Sequence, residues 1–109
     1  MDSKESLLDE IKRLMDELMR ESGMEVFGEV HVKIADIEDL ALIKGNDIYF
    51  STKVKELPRD VLKYIIAHEL AHLIVKKHTF KFWEVVRNIY PDYERSMNKL
   101  SKILHRQQL

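Results

Sequence analysis

Two histidines, His68 and His72, stand four residues apart in the run His68-Glu69-Leu70-Ala71-His72. On a helix, four residues turn the chain through about 400°, so both imidazoles leave one face roughly 6 Å apart along the axis. That separation lets two ring nitrogens bind one metal ion at about 2.0–2.1 Å each. Glu69 is rotated by about 100° from His68. It sits too far round to complete the same ligand set. It can reach a water on the metal, which is where a general base belongs. The three residues interrupt an otherwise apolar stretch from Val61 to Val75. Unpaired in a core, each would cost on the order of 1–3 kcal/mol. A metal with its water accounts for all three together.

A catalytic zinc site takes three protein ligands and keeps a position open for water. His78 follows six residues after His72 and is the expected third ligand. On a continuing helix it would face about 240° away. The helix must therefore end near Lys76-Lys77 for His78 to swing back. Thr79 supports that break, because threonine caps the start of a helix well. Glu84 and Glu94, carboxylates on following helices, are the rival third ligands. The chain contains no cysteine, so thiolate sites and disulfides are excluded and any metal is held by His and carboxylates.

The elements around this run follow from periodicity. Leu7, Ile11, Leu14 and Leu18, with Leu8, Met15 and Met19 beside them, predict an amphipathic helix with Ser3 as N-cap and Gly23 as stop. Val30, Val32 and Ile34 alternate with His31 and Lys33, which predicts a half-exposed strand and makes His31 a solvated residue. Leu40–Ile43 and Ile48–Phe50 flank Lys44-Gly45-Asn46-Asp47, so residues 40–52 read as a β-hairpin. Pro58 suits the first turn of a helix, and Val61 to Val75 is long enough to be a buried one. Further helices are expected from about Thr79 to Tyr90 and, after Pro91, from about Asp92 to Arg106. One helix, then strands, then helices is an α+β order.

At 109 residues the chain is read as one domain, residues 1–109. With 18 basic and 19 acidic residues its net charge is −1, which points to neither nucleic acid nor a charged membrane as partner. No apolar run reaches the roughly 18 residues of a membrane span. The start, Met1-Asp2-Ser3-Lys4-Glu5-Ser6, carries no apolar signal segment, so the expected location is the cytoplasm. Charged residues make up 34%, a composition that suits a thermophilic source as well as a helix-rich mesophilic protein.

The motif with His78 resembles the zincin metallopeptidases, and more closely the minigluzincins, domains of about this length. Those are similar to the catalytic domains of integral-membrane peptidases of the HtpX and BlaR1 type. Downstream, His78-Thr79, Phe82-Trp83 and Pro91-Asp92-Tyr93 resemble the corresponding run of the YgjP-like metallohydrolases. Metzincins fit less well, because they place a glycine where this chain has Val75. The resemblance implies a minimal zincin-like domain: an N-terminal helix, a sheet of about three strands, the active-site helix and C-terminal helices. One edge strand, Leu40–Lys44 by element order, would bind an extended peptide by main-chain hydrogen bonds. Phe82 and Trp83 are expected as core beneath the metal.

The expected reaction is peptide hydrolysis with Zn2+ as cofactor on His68, His72 and His78, and Glu69 as general base. Tyr90, Tyr93, Arg87 and Asn88 are candidates for stabilising the oxyanion, and Asp92 for orienting a ligand histidine. A non-peptide hydrolase, of a nucleoside triphosphate for instance, would use Lys76, Lys77 and Lys81 near the cleft. A non-enzymatic module with a structural zinc would have no use for Glu69. Past Tyr93 the stripe Met97, Leu100, Ile103 and Leu104 must still be buried, and the chain closes on Leu109, which resembles a cleavage product. Residues 94–109 are therefore a candidate latency segment, blocking the cleft within a monomer or by exchange in a homodimer.

Overall fold

The computed structural model describes residues 3–24 and 29–108, with side chains for 5–24 and 29–106. Its elements are α1 (Ser3–Ser22), β1 (His31–Ala35), β2 (Ala41–Lys44), β3 (Asp47–Ser51), a 3-10 helix (Thr52–Glu56), α2 (Arg59–His72), α3 (Phe80–Ile89) and α4 (Tyr93–Gln108). The α+β order holds. The Ser3 side chain expected as a cap, and Leu109, lie outside the described residues.

The stripe of α1 is core: Leu7, Ile11, Leu14 and Leu18 are buried, with Leu8, Met15 and Met19 packed beside them. Gly23 ends the helix at φ 70°, a left-handed backbone that glycine adopts without a Cβ penalty. The sheet has the order β1-β3-β2, with β1 parallel and β2 antiparallel to β3. The register sets Val32 against Ile48 and Ile34 against Phe50, and Ile48 also against Ile43. These side chains share the inner face and join the cluster formed with the helices. His31 and Lys33 point outward, as the alternation predicts, and His31 lies 3.5 Å from Glu29.

The hairpin closes in two residues, because Lys44 pairs with Asp47. Gly45 takes φ 60° at the first central position, where a type II′ turn reserves a place for glycine. Ser51 N donates to Leu40 O at 2.9 Å, which fixes the phase of the ladder. Leu42 and Lys44 therefore turn their backbone groups toward β3. Ala41 and Ile43 turn theirs to the open edge.

Three local readings differ from the sequence expectation. The 3-10 helix between β3 and Pro58 was not expected; Ser51 caps it by accepting from Lys53 N at 3.1 Å. α2 stops at His72, short of Val75. Leu73 N and Ile74 N bond to the carbonyls three residues back, at 3.1 and 3.0 Å, so the last turn tightens and ends. α4 begins at Tyr93, not Asp92. Tyr90 before Pro91 is extended (φ −141°, ψ 91°), as the proline ring requires of its predecessor.

α2 lies in the middle of the helical layer. Lys63 reaches Glu17 of α1 at 3.6 Å, and Asp60 accepts from Lys99 of α4 at 3.0 Å. Ser96 of α4 is buried, with its hydroxyl 3.0 Å from that of Tyr90. No described helix is long and apolar enough to cross a membrane.

Candidate metal centre

His68 and His72 occupy successive turns of α2, with ring centroids 4.8 Å apart. Because α2 ends at His72, the chain is free to turn through residues 73–79 and bring His78 back. Thr79 then caps α3 by accepting from Phe82 N. The break is the one that the position of His78 requires, four to five residues earlier than the expected end near Lys76-Lys77. His72 Nε2 and His78 Nε2 lie 3.0 Å apart. One ligand atom from each of His68, His72 and His78 falls within 4.8 Å of the others. Glu84 and Glu94 are not part of this group; Glu94 is exposed and pairs with Arg87 at 3.5 Å.

The three imidazoles fit a single cation. Two nitrogens held at about 2.0–2.1 Å on a tetrahedral ion stand roughly 3.3 Å apart, close to the spacing between His72 and His78. His72 is also in the right state. Burial, then the adjacent His68 ring, push the His72 pKa below the usual imidazole range; Glu69 opposes this and His78 adds to it. A neutral His72 offers a lone pair to a metal near pH 7. A donor set of three imidazole nitrogens without thiolate suits zinc.

Phe82 forms the floor. It is fully buried, and its ring lies 5.1, 4.5 and 4.8 Å from those of His68, His72 and His78. Trp83 is half-buried, stacking on His78 at 6.1 Å and on Tyr93 at 5.8 Å. The pair is thus core and wall beside the histidines. Phe82→Ala removes the common support of three rings. It should destabilise the metal-free chain by about 3–5 kcal/mol, measured by denaturant unfolding. A change below about 1 kcal/mol would mean that the floor is not packed as described.

Glu69 is buried, with Oε1 3.5 Å from His68 Nδ1. It borders two hollows, one reaching His72 and the other His68. One, of about 570 Å³, is lined by Ile43, Gly45, Asn46, His72, Leu73 and Lys76 as well as Glu69. The other, of about 290 Å³, has Asp39, Leu40, Ala41, Tyr64, Ile65 and Leu100 around His68 and Glu69. The edge strand β2 therefore runs along one side of a groove whose other side is α2. Leu100 brings α4 into the wall.

The residues expected around the reacting group fare unequally. Tyr90 is engaged with Ser96, Arg87 with Glu94, and Asn88 is exposed. Tyr93 is buried against Trp83. Asp92 is exposed and bonds to none of the three histidines among the described contacts. Tyr64 was not expected in the site. It sits one turn before His68, rings 5.9 Å apart, and lines the smaller hollow. Burial, then the nearby Tyr93 and Glu69, raise its pKa. The signal was its spacing: residues 64, 68 and 72 share one helix face.

Comparison with known proteins agrees with this geometry. A family described as YgjP-like, metallopeptidase domain, matches residues 2–103. The chain is similar to the crystal structure of the metallopeptidase zymogen abylysin of Pyrococcus abyssi, at 25% identity and a TM-score of 0.73, covering 90% of this chain and 95% of that one. It shares its fold with the metallopeptidase zymogen jannalysin of Methanocaldococcus jannaschii, at 22% identity and a TM-score of 0.69, covering 86% and 96%. No curated protein matches by sequence.

Proposed function

The chain belongs to the YgjP-like metallopeptidase domain family, and from that premise we propose that it is a zinc-dependent endopeptidase with Glu69 as general base. The observation that supports this most directly is the convergence of His68, His72 and His78 on one point beside a buried carboxylate, in the wall of an open groove.

When bound by the three histidines, zinc supplies Lewis acidity, lowering the pKa of water toward about 7 and polarising a carbonyl. The remaining work falls to the chain. Glu69 accepts the proton of the attacking water on a carboxylate oxygen and passes it to the leaving amine. Its burial keeps that carboxylate out of bulk water. The backbone N–H and C=O groups of Ala41 and Ile43, turned to the open edge of β2, hold the substrate as an extended strand. A peptide offers the complementary main chain; a nucleotide does not. Of the lysines considered for phosphate, Lys76 lines the larger hollow, whereas Lys77 and Lys81 line neither.

The same reading includes latency, with residues 94–109 as the regulatory segment. Abylysin and jannalysin were solved as zymogens, and α4 of this chain flanks the groove through Leu100.

Purified without chelator, the chain should carry about one zinc, and His72→Ala should carry almost none, because two histidines make a weak site. Metal analysis finding full zinc in His72→Ala would overturn the assignment. Unstructured peptides and nucleoside triphosphates, offered side by side with and without chelator, separate the two hydrolase readings; chelator-sensitive cleavage is expected of the peptides alone.

A further inference from the structure

We propose that Tyr64 is a catalytic residue: its hydroxyl, open to the groove beside Glu69, donates a hydrogen bond to the scissile carbonyl oxygen as that oxygen gains charge. This rests on the metallopeptidase reading above and adds the oxyanion donor that the reading lacks.

Three observations support the assignment. Tyr64 lines the smaller hollow together with His68 and Glu69, on the helix that also carries two of the three histidines. Its ring is fixed: the residue is 7% exposed, and the ring lies 5.9 Å from that of His68. Its hydroxyl is uncommitted. No hydrogen bond to it is found among the described residues, and no buried side-chain polar atom is left without a partner, so the hydroxyl opens into the hollow. A rigid ring with a free polar tip is uncommon, because a buried tyrosine ordinarily spends its O–H on a protein acceptor. Tyr90 does so here with Ser96.

The chemistry suits the position. A phenol near neutral pH carries its proton and donates. Attack on a peptide carbonyl moves negative charge onto oxygen, and a donor already held in place strengthens its bond at that moment without reorganising. α2 supplies the rigidity, since Tyr64 is anchored in the middle of a helix buried on most of its faces.

The test compares the zinc-loaded full chain with Tyr64→Phe, which removes one oxygen and keeps the ring. Zinc content and Tm should be unchanged, kcat should fall roughly 10²–10³-fold, and KM should stay within about twofold. Affinity for a phosphinic peptide, whose tetrahedral phosphorus and charged oxygen imitate the attacked carbonyl, should fall at least about tenfold. Glu69→Ala is run alongside. A parent no faster than Glu69→Ala counts against the metallopeptidase reading; the phosphinic peptide still decides Tyr64. Equal binding by the parent and Tyr64→Phe, or binding by neither, overturns the proposal. So does a loss of zinc or Tm in Tyr64→Phe that accounts for the lost turnover, since that would make the residue structural.

Discussion

Glu69→Ala should keep the fold and the zinc of the parent chain and lose its peptide hydrolysis, by roughly 10²–10⁴-fold. The expectation follows from where the side chain sits. Glu69 is rotated off the face that carries His68 and His72, and the group of candidate ligand atoms comprises the three histidines without it. Removing the carboxylate therefore leaves the metal its nitrogens. It deprives the groove of a buried carboxylate that borders both hollows. Its contact with His68 is long, at 3.5 Å, so little ring orientation depends on it. Zinc content, thermal unfolding and turnover are read on the same samples, which separates lost chemistry from lost structure. Turnover within tenfold of the parent, at equal zinc, would remove Glu69 from the role of base.

The parts of this arrangement legible in the sequence are those set by local chemistry. The spacing of His68 and His72 fixes their common face once the stretch is helical. Gly45-Asn46 marks a two-residue hairpin turn, and Thr79 marks where α3 begins. The end of α2 was less legible. Leu73-Ile74-Val75 continues the apolar run, and an apolar run reads as helix going on. In the structure Ile74 is 48% exposed, while Leu73 and Val75 pack on the core from beyond the last residue of α2. Burial of those two side chains does not need the helix, and His78 needs its end. The place of Leu100 in the groove was not legible either. It depends on α4 running back alongside α2 and on β2 lying at the sheet edge, both consequences of tertiary packing.

Deleting residues 103–109 should raise peptidase activity about tenfold or more while leaving the fold intact. α4 divides at Leu100. Before it, Tyr93 stacks on Trp83, Ser96 is buried, Lys99 pairs with Asp60 and Leu100 closes the smaller hollow, so this half is a structural part of the domain. After it, Ile103 is only half-buried, and Leu104, His105 and Arg106 are exposed. A cut after Lys102 therefore removes side chains that contribute little to the core, and the cost in stability should stay near 1 kcal/mol. The activity gain follows from tethering. In the structure α4 carries this segment with Leu104, His105 and Arg106 exposed, so blocking requires its last turns to unwind into a short tether. At an effective concentration of about 1 mM, a segment that binds the groove with a Kd of about 0.1 mM then leaves roughly one site in ten open. Removing the segment frees the rest. Blocking within one chain is independent of protein concentration, whereas exchange in a dimer releases on dilution, so rate per chain across a dilution series tells the two apart. A zinc-loaded truncation that melts like the parent and cleaves no faster would show that α4 only closes the fold, and that the groove is open in the intact chain.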